Sequence, residues 1–272
     1  MILELRLVTW SAIGYALAAV LYLLGLFSRH PRVRTLSSLA MFLSLALYSG
    51  SVALRVAEAR HVPFQSLYDV TLWFGWWLVG VYLVVEDRTQ VTLPGMLVAG
   101  LGAGLVTGVL LRTPSSLMPR LPQQTSLWFG IHAATLYAAY ACMAVAAMIE
   151  ISSPFFAPLI RHEAPAKVEL QERYLEFRAY AYRLILFAFP LLSLGIISNA
   201  FWRGTIRGHY WAWGQEETWA LVAWILYAVY LHLRTQRRTG GIVATVVSLL
   251  GAGSIVLTFS GIGWLARILK HG

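Results

Sequence analysis

Residues 208–234 read GHYWAWGQEETWALVAWILYAVYLHLR, and this stretch decides how the chain is read. Four tryptophans (Trp211, Trp213, Trp219, Trp224) and three tyrosines (Tyr210, Tyr227, Tyr230) fall inside it. Its first half is aromatic and glycine-containing, with no long apolar run. Its second half is an apolar helical pattern ending on His232 and Arg234. Tryptophan and tyrosine each offer a flat apolar face and one polar atom, and both favour the bilayer interface. The pattern therefore fits an ordinary interfacial belt. It also fits a surface for a planar, amphiphilic, π-rich ligand at the membrane boundary.

Composition sets the class. The chain has 272 residues, of which 58% are hydrophobic and 12% charged. A soluble domain carries about 25% charged residues. Apolar runs near the length of a bilayer crossing recur along the chain, which predicts an all-α, polytopic transmembrane helical bundle. About eight spans are expected, at 7–27, 36–57, 70–85, 93–111, 125–149, 184–200, 218–234 and 242–265, within a single integral membrane domain over 1–272. The first run lacks a basic leader and a small-residue cleavage site and reads as a retained helix. The net charge of +9 sits in short loops between apolar segments, where orientation signals belong, and does not point to nucleic acid. The arginine-dense loops around 29–34 and 234–238 are expected inside. That places the N-terminus, 58–69, 112–124, the tryptophan-rich segment 201–217 and the C-terminus outside a cytoplasmic (inner) membrane. The one cysteine, Cys142, lies in an apolar run, so no intrachain disulfide is possible.

Several residues stand out between the spans. The loop 60–69 (RHVPFQSLYD) could simply cap a helix through Asp69, or present His61. Gly100, Gly104 and Gly108 share one helix face and suit close packing, within the bundle or against a partner helix. His132 lies one to two turns inside the fifth span, where an ionisable group is expensive unless paired or functional. It reads either as a neutral histidine bonded to a neighbour or as a ligand. Pro154, Pro158 and Pro165 are expected to break the chain after the fifth span. Lys167 to Arg183 then reads as a helix on the cytoplasmic membrane surface. Pro190 should kink the sixth span. His232 is an interfacial histidine beside Arg234 or a deeper ligand. His30, His162 and His209 read as loop histidines. No nucleophile–base pair or phosphate-cradling loop is evident, so hydrolase and ATPase readings lack support; a small-solute transporter without haem stays open, although no convincing internal repeat is evident.

The tryptophan-rich stretch resembles the signature of the CcsA/ResC family of cytochrome c maturation, roughly W-G-x-Y-W-x-W-D-P-K-E-T-W-A followed by a helix ending Y-L-H-x-R. Tyr210, Trp211, Trp213, Glu217, Thr218, Trp219 and Ala220 match, as do Tyr230, Leu231, His232 and Arg234. Gly214 and Gln215 stand where the pattern has aspartate and proline. Loop 60–69 is similar to a second motif, G-H-F-P-L-S-N-L-Y-E, through His61, Pro63, Leu67 and Tyr68. Trp128 and His132 fit a W-x-x-x-H motif, and Phe189-Pro190 with Gly195-Ile196 fits another. His271 is similar, through itself and the next glycine only, to a histidine after the last span. The resemblance implies a haem b-binding subunit that exports haem and presents it to an apocytochrome c with a Cys-x-x-Cys-His motif, a possible haem lyase subunit. It implies a CcsB/ResB-type membrane partner. Iron ligands are then His132 and His271 on the outer side and His232 deeper, with Tyr210, Trp211, Trp213 and Trp219 against the macrocycle. The alternative is a HemX-like, non-lyase relative that binds haem or affects its synthesis; the Gly214 and Gln215 departures bear on it.

Overall fold

The computed structural model describes residues 2–28, 31–64, 66–89, 92–112, 126–161, 167–235 and 242–260. They form eight helices: α1 (Ile2–Phe27), α2 (Pro31–Ala59), α3 (Leu67–Thr89), α4 (Leu93–Arg112), α5 (Leu127–Arg161), α6 (Lys167–Arg207), α7 (Gln215–Thr235) and α8 (Ile242–Ser260). No strand occurs among the described residues. In lipid every backbone polar group must be satisfied inside the protein, and a helix does so within its own segment. α1 to α6 are long and apolar enough to cross a membrane. In α7, Glu216, Glu217, His232 and Arg234 lie at the two ends of the helix. The apolar run of α8 is shorter, Ile242–Thr258. The chain is a multi-pass helical membrane protein.

Three boundaries differ from the sequence expectation. α5 continues through Pro154 and Pro158 to Arg161. α6 is one 41-residue helix that joins the expected surface helix 167–183 to the span 184–200 and runs on over 201–207. A proline removes one backbone hydrogen bond, and the bonds on either side of it carry both helices through. The irregular part of the tryptophan-rich segment is thus only 208–214.

The chain divides into two compact units, Met1–Leu121 with Ile151–Arg178, and Pro122–Glu150 with Ala179–Gly272. The first is held by tyrosines and buried charge. Tyr15 meets Tyr48 edge-on with centroids 5.9 Å apart, and Tyr22 meets Tyr82 at 6.1 Å. Tyr22 and Ser38 each donate to the buried Glu86 carboxylate at 2.6 Å. At the other end, Arg55 is 1% exposed between Asp69 (2.5 Å) and Glu4 (3.2 Å). Tyr68 lies under the guanidinium, its centroid 4.4 Å from Cζ, and donates to Glu4 at 3.1 Å. Ser66 and Asp69 form a reciprocal capping box at the start of α3: Asp69 N–H donates to Ser66 Oγ, and Ser66 N–H donates to Asp69 Oδ2, both at 3.1 Å. The sequence reading of Asp69 as a cap is therefore half of its role, since its other oxygen meets Arg55.

In the second unit Thr245 donates to Glu150 at 2.7 Å, and Tyr230 lies 3.4 Å from the same carboxylate. Trp224 donates its indole N–H to Ser193 Oγ at 2.8 Å, joining α7 to α6. A Cβ at Gly251 would come within 2.9 Å of the Tyr227 ring, so α8 can approach α7 this closely only with glycine there.

Removing a charge from a buried network leaves its partners uncompensated, which typically costs about 3–5 kcal/mol. Arg55→Leu should therefore lower the thermal midpoint of the detergent-solubilised protein sharply. Arg88→Leu is the control, because its pair with Asp87 is 72% and 81% exposed and should matter little. Equal midpoints for the two variants would contradict this role of Arg55.

Candidate functional site

The tryptophan-rich turn is built by one carboxylate. Glu217 is the third residue of α7, and its side chain is 2% exposed. Its Oε2 accepts from the N–H of Ala212 at 3.0 Å and of Gly214 at 3.3 Å. Its Oε1 lies 2.6 Å from Arg203 Nε on α6, oriented as an ion pair rather than an aligned hydrogen bond. Gly214 is the N-cap: its carbonyl accepts from Thr218 N–H at 2.9 Å and Thr218 Oγ1 at 2.9 Å. Between the two bonded amides, Trp213 is forced to φ 54°, a left-handed conformation rare for a bulky residue, and its side chain is 71% exposed. α6 ends at Gly208, φ 72°, whose N–H bonds the Gly204 carbonyl at 3.2 Å. Tyr210 then folds back onto Gly204, where a Cβ would sit 2.6 Å from the ring.

His132 lies on the facing helix, α5. Its Nδ1 is 2.9 Å from the Gly195 carbonyl of α6. A carbonyl only accepts, so Nδ1 carries a proton, and in the neutral ring Nε2 keeps its lone pair. Among the described residues the ring has no other hydrogen bond. Gly195 makes this possible, because a Cβ there would meet Leu136 Cδ2 at 2.5 Å and Thr135 Oγ1 at 3.1 Å. The imidazole lies nearly parallel to Trp202, 14° between planes and 6.4 Å between centroids. Trp202 in turn meets Phe129 at 5.0 Å. Trp128 stacks on Phe201 at 4.8 Å, and Phe201 meets Tyr210 edge-on at 6.2 Å. A histidine with one ring nitrogen unbonded among the described residues therefore stands in an aromatic wall, and a second line of rings connects α5 to the start of the turn.

The structure links Tyr210 to the rings of α5 and α6, and pairs Trp211 with Trp213 edge-on at 5.6 Å. Trp219 is half-buried in the first turns of α7. His232 is exposed at the opposite end of that helix, fifteen residues from Glu217 and so about 22 Å along the axis. His61 is half-buried in its loop, and His209 is exposed with Nδ1 3.0 Å from the Arg207 carbonyl. His271, His30 and His162 lie outside the described residues. Among the described residues no three His, Cys, Asp or Glu side chains converge as a metal cluster. Sequence reasoning missed Trp202, Phe201 and the Arg203–Glu217 pair. The first two carry no local signal, since their partners on α5 are some 70 residues away. The third was legible in part: an aspartate–proline pattern before a helix marks N-cap and first position, with Glu217 then at the third.

A methyl group at Gly195 must push α5 from α6. Gly195→Ala should therefore break the His132 bond, let the imidazole change tautomer and reduce stability by about 1–3 kcal/mol, the usual range for overpacking. Nitrogen NMR of labelled histidine would read the tautomer directly. A wild-type Nδ1–H signal in the variant would contradict this arrangement.

The sequence profile of the family described as cytochrome C assembly protein matches residues 33–270. The cytochrome c biogenesis protein CcsA of Adiantum capillus-veneris is 26% identical, over 97% of this chain and 98% of that one. The protein of the same description from Parasynechococcus marenigrum (strain WH8102) is 27% identical over 97% and 95%. Among solved structures, the cytochrome c heme lyase CcmF shares the fold at a TM-score of 0.67 and 16% identity; the match covers 98% of this chain but only 51% of that one. With the profile running over most of its length, the chain belongs to the cytochrome C assembly protein family.

Proposed function

We propose that the chain is a haem-binding membrane subunit of cytochrome c maturation, with its tryptophan-rich turn on the outer side of the cytoplasmic membrane. The observation that carries this reading is His132, with Nδ1 committed to the Gly195 carbonyl, its ring parallel to Trp202 and no other hydrogen bond among the described residues. A metal-ligating histidine usually donates its other ring N–H to a carbonyl, which fixes ring orientation and raises basicity. The donor set fits haem iron better than a bare cation, because no acidic or thiol cluster accompanies it among the described residues. The exposed Tyr210 and Trp213 and the paired Trp211 offer flat faces to a macrocycle.

In this reading His132 supplies one axial nitrogen and His271 the other. The C-terminal end of α8 lies beside the turn, since Gln215 Nε2 donates to the Leu257 carbonyl at 3.1 Å. The eleven residues from Ser260 to His271 span up to about 36–40 Å when extended. His232, at the inner end of α7, serves a second site with a partner subunit of the CcsB/ResB type. Bound haem b supplies the vinyl groups that add to apocytochrome thiols; this chain binds it, orients it and keeps it coordinated. The non-lyase alternative rested on Gly214 and Gln215. Both fall at helix-cap positions, where glycine replaces an aspartate at a cost of a few tenths of a kcal/mol. Gln215 also gains the bond to Leu257. The substitutions therefore alter capping and leave the rings and His132 in place, which supports the maturation reading.

His132→Ala removes the only nitrogen at its position. The variant should lose haem or show a five-coordinate spectrum, and added imidazole should restore the six-coordinate one. A six-coordinate spectrum at wild-type haem content would make His132 a packing residue. Restoring aspartate at Gly214 should change cytochrome c maturation by less than about two-fold, consistent with a cap effect; a large gain would mean that the signature itself had been impaired. A cysteine at Ala212 should react with an impermeant thiol reagent in intact cells, and labelling only after lysis would overturn the orientation.

A further inference from the structure

The two helix–loop–helix segments that precede α3 and α7 are built alike. Arg55 lies four residues before the end of α2, and Arg203 four before the end of α6. Five residues on, each helix is closed by a residue in the left-handed conformation, Arg60 (φ 56°) or Gly208 (φ 72°). A histidine follows immediately, His61 or His209. Fourteen residues after the arginine comes the third residue of the next helix, Asp69 or Glu217, buried and paired back to that arginine. In both, the carboxylate also accepts the N–H of the N-cap residue, Ser66 or Gly214. Twenty-one residues after the arginine comes Trp76 or Trp224, each donating its indole N–H to a serine of the preceding helix, at 2.9 and 2.8 Å. Those serines, Ser49 and Ser193, both bond the carbonyl four residues before them. At the same offset of 148 residues Leu78, Val81, Tyr82 and Leu83 recur as Leu226, Val229, Tyr230 and Leu231, and both tyrosines are fully buried.

We infer that these segments are copies of one duplicated unit, and that its arginine–carboxylate clamp is a positioning device. Arg203–Glu217 holds the tryptophan-rich turn in its presenting conformation, and Arg55–Asp69 holds loop 60–66. The device follows from the geometry. One carboxylate lies where helix, turn and preceding helix meet. It neutralises a guanidinium from one side and satisfies backbone N–H groups from the other. Without it the amides of the turn face an apolar rim unpaired, and Trp213 has no reason to stay in a strained left-handed conformation that throws its ring outward. In the first copy Pro63, Phe64 and Trp73 occupy the rim: Trp73 donates to the Pro63 carbonyl at 3.0 Å and its ring lies 5.6 Å from Phe64. The shared residues are those of the clamp and of the helix face behind it, while the rim and most other positions differ. The placement of the turn relative to haem rests on the function proposed above; the clamp itself does not.

Single reporter cysteines at Ala212 and Val62, both exposed, read the two loops separately in the purified full-length chain. Loss of a charge-assisted bond should raise the local thiol reaction rate by about ten-fold. Glu217→Gln should do so at position 212 and leave 62 unchanged, and Asp69→Asn should do the reverse. Arg203→Lys, which keeps the charge, should stay within about three-fold of the parent. Unchanged rates at the reporter next to the mutated clamp would overturn the proposal, and so would both reporters rising together, which reports general loosening. Haem absorbance of the same samples is read alongside. In Glu217→Gln a six-coordinate band should weaken while helix content by circular dichroism holds. A parent that takes up no haem, with the reporters still responding as expected, removes the ligand reading and leaves the clamp standing.

Discussion

A carboxylate in an apolar medium must be paired, and in this protein the pairing decides where the loops go. Glu4, Asp69, Glu86, Glu150 and Glu217 are all 5% exposed or less. Each is met by hydroxyls, by a guanidinium or by backbone amides at a helix end. None sits unattended at mid-helix, because burying a lone charge costs far more than a hydrogen bond returns. Glu217 carries the most consequence. It joins Arg203 of α6, the cap of α7 and the amides of the aromatic turn, so the direction of Trp213 depends on a single oxygen pair.

The second constraint is close approach. Gly195 lets α5 come near enough to α6 for His132 to reach a carbonyl, and Gly204 lets Tyr210 lie on the helix surface. These contacts fix the histidine tautomer and the entry to the turn together. The chemistry then needs little else from this chain: an imidazole nitrogen, flat rings and exclusion of competing ligands.

The sequence made the helices, the aromatic turn and the odd depth of His132 readable, because hydropathy and rare residues act locally. It misled at Pro154 and Pro158, where each proline costs a backbone hydrogen bond but α5 still runs on to Arg161. It was silent on Trp202, whose meaning lies in a ring 70 residues away. The duplication escaped notice for a different reason. Its shared residues are an arginine, a histidine, an acid, a tryptophan and a tyrosine spread over 28 positions, while the rim between them changed from Val-Pro-Phe to Tyr-Trp-Ala-Trp. The repeated left-handed residue, ion pair, cap bond and indole–serine bond make the correspondence physical.

Haem coordination is the central claim, and it is tested most directly by the absorption spectrum of the intact chain purified from cells that make haem. The account predicts a near-stoichiometric, six-coordinate, histidine-ligated spectrum in both oxidation states. A preparation that remains folded, carries no haem and takes up none on titration would contradict it.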